Sequence, residues 1–226
     1  MVTTESRIAR RRIGGFDAVC TTIALRAGAI ALWQVEDLER HVDRGALLGV
    51  GDAPDPPYWA LCWSGARVLA DAVPPTARDV IELGCGLALP GLAAARHGAR
   101  VLCVDRLATP LEFVRASAQV NDFRHVAVVA GDLTATPVRR RFDCVLAAEV
   151  LYERSAFGAF AAEIARVLAP DGVALLTDAG RIDTRDFYRE LGRAGLAWEA
   201  STHAVDEEGW PVQVRLVRIV HAHPSA

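Results

Sequence analysis

Lysine is absent from this chain: all of its 25 basic residues are arginine. They face 28 acidic residues, which leaves a formal net charge of −3 and argues against a basic nucleic-acid-binding face. The all-arginine usage reads as a coding bias rather than a functional device. The cluster Arg10-Arg11-Arg12 reads as solvated N-terminal chain. Cysteines are few, and Cys20, Cys62, Cys85, Cys103 and Cys144 form no Cys-x-x-Cys pair. Several sit in apolar strand-like runs, where a thiol behaves as a small hydrophobe. A reducing, cytoplasmic setting is therefore expected. The spacing of the 6 histidines suggests no metal site. No signal peptide is visible, and no uninterrupted run of about 18 apolar residues is present to span a membrane.

What the chain does contain is a long strand–helix alternation. At 226 residues, with 52% hydrophobic residues, it is large enough for one well-buried domain. Residues 1–57 read as an N-terminal extension: a hairpin over Val19–Val35, a short helix over Glu36–Leu48 and a loop over Gly49–Pro57. Residues 58–226 read as the main domain. Apolar residues at helical spacing predict a helix over Trp59–Val73, ended by Pro74-Pro75. Strands follow at Val80–Leu83, Arg100–Val104, Val126–Ala130, Phe142–Ala148 and Val173–Thr177. Between them lie helices at Leu87–His97, Pro110–Asn121 and Phe157–Leu168, with Thr184–Ala194 after the last strand. The tail, Ala197–Val205 and Val212–Val220, alternates around Glu207-Glu208-Gly209 as an antiparallel hairpin. Apolar strands between helices imply an α/β, doubly wound, mostly parallel sheet with helices on both faces.

The stretch Asp79-Val-Ile-Glu-Leu-Gly-Cys-Gly-Leu-Ala-Leu-Pro-Gly91 carries the chemistry. A strand runs into a turn at Gly84 and Gly86, and a helix opens at once, so backbone N–H groups can approach a ligand. In open α/β sheets the ligand lies beyond the carboxyl ends of the strands. Those ends hold this turn, then Asp105, Asp132 and Glu149. Glu82 lies two residues before the first glycine. So many carboxylates on one rim suit a pyrophosphate poorly. S-Adenosylmethionine fits better: it has an ammonium, a sulfonium and a ribose diol, and no phosphate. Glu82 then faces the ammonium side, Asp105 the ribose hydroxyls and Asp132 the adenine amino group. The turn is not the dinucleotide fingerprint, because Leu89 stands where its third glycine would be. A nicotinamide-dependent oxidoreductase and a non-catalytic binding module are the alternatives.

Glu82-Leu-Gly-Cys-Gly-Leu-Ala88 is similar to the first motif of the class I, seven-β-strand S-adenosylmethionine-dependent methyltransferases, with Ala88 in place of the last glycine. Pro57-Tyr-Trp-Ala-Leu-Cys-Trp-Ser-Gly65, Leu89-Pro-Gly91, Val104-Asp-Arg106 and Phe142-Asp-Cys-Val-Leu-Ala-Ala-Glu-Val-Leu-Tyr152 resemble that superfamily's lysine methyltransferase and nicotinamide N-methyltransferase-like group. The resemblance covers roughly residues 58 to 220 and implies seven strands. By that resemblance Glu149 and Tyr152 are the acid and aromatic beside the transferred methyl group. Trp63, Ala148, Cys85 and Arg106 line the cofactor, and Leu133 stands where many members carry an adenine-facing tryptophan. A protein lysine or a small amine or heteroaromatic is the acceptor class so implied. Glu149-Val-Leu-Tyr152 lacks the Pro-Pro of nucleic-acid amino methyltransferases, which disfavours a base. Trp33, Tyr58, Trp59, Trp210 and the loop Asp178–Asp183 are the segments expected to cover the acceptor. The sequence leaves the oligomeric state open.

Overall fold

A computed structural model describes residues 7–41, 57–207 and 210–222. The helix expected over Glu36–Leu48 and the loop over Gly49–Pro57 lie largely outside those residues, as does the turn centre Glu208-Gly209. A short 3-10 turn, Leu38–His41, follows Val35.

Two sheets organise the chain. The first is a three-stranded antiparallel sheet of β1 (Arg7–Ile13), β2 (Phe16–Ile23) and β3 (Ile30–Val35), in that spatial order. The expected hairpin is β2–β3, paired from Ala18 opposite Val35 to Ile23 opposite Ile30. Strand β1 escapes a reading based on alternating apolar residues, because its middle is Arg10-Arg11-Arg12. Those arginines lie on an edge strand, with Arg11 stacked over the Trp33 ring at 4.6 Å.

The second sheet has seven strands: β4 (Asp79–Leu83), β5 (Arg100–Asp105), β6 (Val126–Ala130), β7 (Phe142–Ala148), β8 (Leu168–Asp178), β9 (Leu196–Glu207) and β10 (Trp210–His221). Their spatial order is β6-β5-β4-β7-β8-β10-β9. Strands β4 to β8 run parallel, and the β9–β10 hairpin adds antiparallel to β8. Helices α1 (Ser64–Ala72), α2 (Leu89–Arg96), α3 (Ala108–Val120), α4 (Phe157–Val167) and α5 (Arg185–Arg193) surround it.

Successive strand residues point to opposite faces, and the core divides accordingly. Val80, Val101, Cys103, Cys144 and Leu146 face α1, α2 and α3. Ile81, Leu83, Val104, Val145 and Ala147 face α4 and α5. The N-terminal sheet joins the first of these cores through Ile23, Leu32 and Trp33. Side chains at the end of α3 bind it: the Ala31 N–H donates to Oδ1 of Asn121, the residue that caps the helix, at 3.0 Å, and the Trp33 N–H donates to Ser117 Oγ at 3.0 Å.

Helix α1 starts at Ser64, later than the spacing implied, because a separate 3-10 turn, Tyr58–Ala60, precedes it. Pro74 and Pro75 then follow its last turn, which cannot continue through them. Strand β8 begins at Leu168, opposite Phe142, rather than at Val173, with an irregularity in its pairing between Phe142 and Cys144. Among the described residues no helix is long and apolar enough to cross a membrane.

Candidate methyl-donor and acceptor site

From β4 the chain moves outward to β5 and β6, then returns to the other side of β4 as β7. That reversal makes the crevice between the carboxyl ends of β4 and β7 the switch point where open α/β sheets bind ligands. The Gly84/Gly86 turn leaves β4 on one side of it. Glu149 leaves β7 on the other.

The turn uses its glycines for backbone shape. Gly84 and Gly86 have φ of 63° and 49°, a region costly to most L-residues. The Trp59 carbonyl passes so close to Gly86 that an added Cβ would lie 3.1 Å from it. The Cys85 N–H donates to the Val104 carbonyl at 2.9 Å, tying the turn to β5. The Cys85 thiol is buried and its pKa is held well above the ordinary value, first by burial and then by the adjacent Cys103 thiol. Ala88 also takes a left-handed conformation, φ 56°, immediately before α2, so the first turn of that helix forms directly beyond the glycine turn.

Asp105 ends β5 with a buried carboxylate. Its Oδ2 accepts the Gly86 N–H at 3.0 Å and its Oδ1 accepts the Leu107 N–H at 3.0 Å. The acid and the glycine turn therefore form one unit across β4 and β5. Glu82 is 1% exposed and lies beneath α2, where its Oε2 accepts the Gly91 N–H at 2.7 Å. Burial pushes its pKa up to about 8; the Gly91 bond opposes this and the negative charge of Asp105 adds to it. Glu82 thus holds the opening of α2 from below the turn.

The third-strand acid is placed differently. Asp132 is exposed, and its Oδ1 accepts both the Thr134 N–H at 2.7 Å and the Thr134 hydroxyl at 2.6 Å. Those bonds lower its pKa, with a smaller contribution from Arg106. Leu133 is half-buried and turns back over the glycine turn, 3.2 Å from where a Gly84 Cβ would be. Val150 closes the same spot at 2.9 Å, so the residue after Glu149 touches the glycine turn directly.

Glu149 has φ 56°, a strained value for a glutamate and one that turns its side chain away from the β7 direction. Its N–H donates to the Thr177 carbonyl at 3.0 Å. The carboxylate lies against the start of α1, where a Cβ on Gly65 would fall 2.2 Å from Oε1. Oε2 accepts the Ala179 N–H at 3.2 Å and lies 3.8 Å from Arg181 Nε. The Arg181 guanidinium is stacked over the Trp63 ring at 4.4 Å. The indole is fixed in turn, donating through Nε1 to the Tyr58 carbonyl at 3.1 Å. Ala148, half-buried, precedes this corner. Gly65 and Arg181 are the two residues that sequence reasoning passed over. The only hint was that Gly65 closes the Trp63-Ser-Gly run and that Arg181 falls in the loop already singled out.

Tyr152 stands apart from that corner. It is 61% exposed, and burial of its hydroxyl side raises its pKa while Arg106 lowers it. The charges acting on it, Arg106, Asp105, Glu153 and Asp132, belong mostly to the β5 and β6 side of the crevice. Of the aromatics expected over the acceptor, Trp33 is a core residue, and Trp59 packs between Phe16 at 5.6 Å and Phe113 at 5.3 Å. Tyr58 is exposed. The Trp210 side chain lies outside the described residues.

The arrangement gives a glycine turn backed by a carboxylate on one wall and a buried acid beneath a guanidinium and an indole on the other. The fold is the Rossmann-like fold of class I methyltransferases. Residues 81–176 match the family described as a methyltransferase domain. The human protein named histone-arginine methyltransferase METTL23 is 36% identical over 89 residues, covering 35% of this chain and 45% of that protein. A ubiquinone biosynthesis O-methyltransferase of Rhodopseudomonas palustris (strain BisA53) is 31% identical over 106 residues, 45% of this chain and 40% of that protein. The chain thus spans less than half the length of these curated relatives. Among solved structures, a TehB-like S-adenosylmethionine-dependent methyltransferase from Corynebacterium glutamicum superposes with TM-score 0.56 at 20% identity, over 78% of this chain and 92% of that one. The glycopeptide N-methyltransferase MtfA complexed with S-adenosylmethionine gives TM-score 0.56 at 17% identity, over 70% and 93%.

Proposed function

We propose that this protein is an S-adenosylmethionine-dependent methyltransferase acting on a nitrogen acceptor, either a protein side chain such as lysine or a small amine or heteroaromatic. The observation that carries the reading is the single unit formed by the Gly84/Gly86 turn and Asp105 at the switch point, with Glu149 facing it from β7. The donor set fits the cofactor and not a dinucleotide. Asp105 is a carboxylate bound to the N–H groups of the turn, which repels a pyrophosphate and suits a ribose diol.

Asp105 and the N–H groups around Gly86 would hold the ribose, Leu133 would wall the adenine and the Glu82 side would face the amino-acid end. We also assign residues 1–57 to an extension of a 58–226 catalytic domain. When bound, the cofactor supplies an electrophilic methyl group on a sulfonium. The chain's own contribution is position and dryness: it brings an acceptor nitrogen in line and excludes water. Glu149 orients that nitrogen and receives its proton, which then passes to solvent. The relatives' names span arginine in a histone and an O-methyltransferase, so the acceptor is read from the corner around Glu149 alone.

The test is donor binding followed by transfer. S-Adenosylhomocysteine should raise the thermal midpoint and NAD should not; the reverse result rejects the reading. With labelled donor and a host lysate fraction as acceptor, Glu149→Gln should lose turnover by about 100-fold or more, the scale of a general acid–base role. Its affinity for S-adenosylhomocysteine should stay native. Wild-type turnover in that variant removes Glu149 from the chemistry.

A further inference from the structure

A sheet edge offers backbone N–H and C=O groups to any strand that can reach it, and proteins blunt such edges with charge, brevity or cover. Of the four sheet edges among the described residues, three are blunted. Strand β1 carries Arg10, Arg11 and Arg12, so a second copy would meet like charge. The outer edge of β3 is covered, because Asn121 and Ser117 take the Ala31 and Trp33 N–H groups. Strand β6 has only 5 residues. Strand β9 differs: it is 12 residues long, ends the seven-stranded sheet and contains no arginine or proline. From Ala200 to Val205 it holds no carboxylate either.

The two faces of β9 say which strand would fit beside it. Alternate side chains share a face. Glu199, Ser201 and His203 lie on one face, where Ser201 Oγ is 3.0 Å from His203 Nε2. On the other face Trp198 packs on Tyr188 at 4.5 Å and is still 45% exposed. A two-fold axis perpendicular to a sheet carries each face onto itself. An antiparallel copy of β9 can therefore meet only residues of its own face, and the axis must pass through a single residue that faces its own copy. With the axis at Ser201, Glu199 lies opposite His203 of the second copy, twice over, and Trp198 lies opposite Ala204, which has room for an indole. With the axis at Ala200 instead, Glu199 faces Ser201; at Thr202 it faces Val205; at His203 it faces Glu207. Opposite charges across a strand pair attract and like charges repel, so the strand matches itself best about Ser201.

We propose that β9 is a self-association edge: a second copy of this chain adds its own β9 antiparallel, with the two-fold axis at Ser201, joining two seven-stranded sheets into one. The pairing is closed, because one β9 edge consumes the other, and it yields a dimer rather than a fibre. It covers the exposed part of Trp198 and occupies the long edge. It does not depend on the methyltransferase reading.

Light scattering on the full chain at micromolar concentration tests this first. Wild type should show twice the mass of one chain, and Ser201→Glu, which sets two carboxylates against each other on the axis, should halve it. S-Adenosylhomocysteine affinity should be native in that variant, because β9 is three strands away from β7 in the sheet. Should Ser201→Glu fold poorly, a charge swap gives the same answer. Glu199→Arg should halve the mass and adding His203→Glu should restore it, which a local defect would not do. Cross-linking then fixes the register. Residues opposite themselves have Cα atoms about 4.5–5.5 Å apart, within reach of a disulfide. Under oxidised glutathione Ser201→Cys should therefore give a covalent dimer. Ala204→Cys should not, since its copy lies about 20 Å away along the strand, six residues at about 3.4 Å each. A single-chain mass for wild type, a mass beyond that of two chains, or equal cross-linking of the two cysteine variants overturns the proposal.

Discussion

Glu82 shows how one residue's environment changes its chemistry. A free glutamate is ionised at neutral pH, but this one, with its pKa raised from 4.5 to about 8, keeps its proton there. Between those two values the folded chain binds more protons at this site than the unfolded chain does. Its contribution to stability is therefore full below the lower value, falls as pH rises through the window and is gone above the upper one. The upper limit of that loss is on the order of 5 kcal/mol, at 1.36 kcal/mol per pKa unit. Thermal midpoints measured from about pH 5 to about pH 9 should thus fall more steeply for wild type than for Glu82→Gln, which keeps an acceptor for Gly91 and does not titrate. Parallel pH profiles would reject the buried-acid account.

At the scale of the element, the opening of α2 depends on the absence of a side chain at Gly91. A Cβ there would lie 2.6 Å from Glu82 Oε2, 3.2 Å from Val101 and 3.3 Å from Cys103. On propensity alone, Gly91→Ala should stabilise a helix by about 1 kcal/mol. Overpacking costs about 1–3 kcal/mol and presses the helix off its supporting strand. The second effect is expected to win, lowering the denaturant midpoint and weakening S-adenosylhomocysteine binding together. A raised midpoint would show that α2 can shift without cost. The sequence marked this glycine only as part of Leu89-Pro-Gly91. Its contact with Glu82 spans two elements, and the strand–turn–helix pattern does not report it.

For the whole molecule, the N-terminal sheet is held to the main fold by few polar links, and Asn121 is the main one. Its Oδ1 accepts the Ala31 N–H at 3.0 Å, and its Nδ2 donates to the Ala31 carbonyl at 2.6 Å and the Ser117 carbonyl at 2.7 Å. Arg96 adds bonds to the Ala27 and Ala29 carbonyls. Asn121→Ala should cost about 2 kcal/mol, two net hydrogen bonds' worth. Hydrogen exchange at the Ala31 amide should speed up, while S-adenosylhomocysteine affinity stays native, because the donor turn lies elsewhere. Unchanged protection at Ala31 would mean that apolar packing through Leu32 and Trp33 is enough to hold the sheet.

The sequence alone determined the parallel sheet, the order of its helices and the glycine turn after β4. Each of these is local: a β-branched run, two glycines and an alanine-rich helix occupy consecutive residues, and period and turn chemistry report them. It also placed Asp105 and Glu149 at strand ends, because a strand's end is visible where its apolar run stops. Tertiary structure alone decided what those ends face. Trp63, Glu149 and Arg181 come from three separated segments, and they meet because the strand order reverses at β4, placing β7 and β8 on its other side. The same folding turned Trp33 and Trp59 into core and set Tyr152 among the charges of the β5 side. Periodicity says which face of an element is apolar. Which neighbour covers that face is decided by packing between elements distant in sequence.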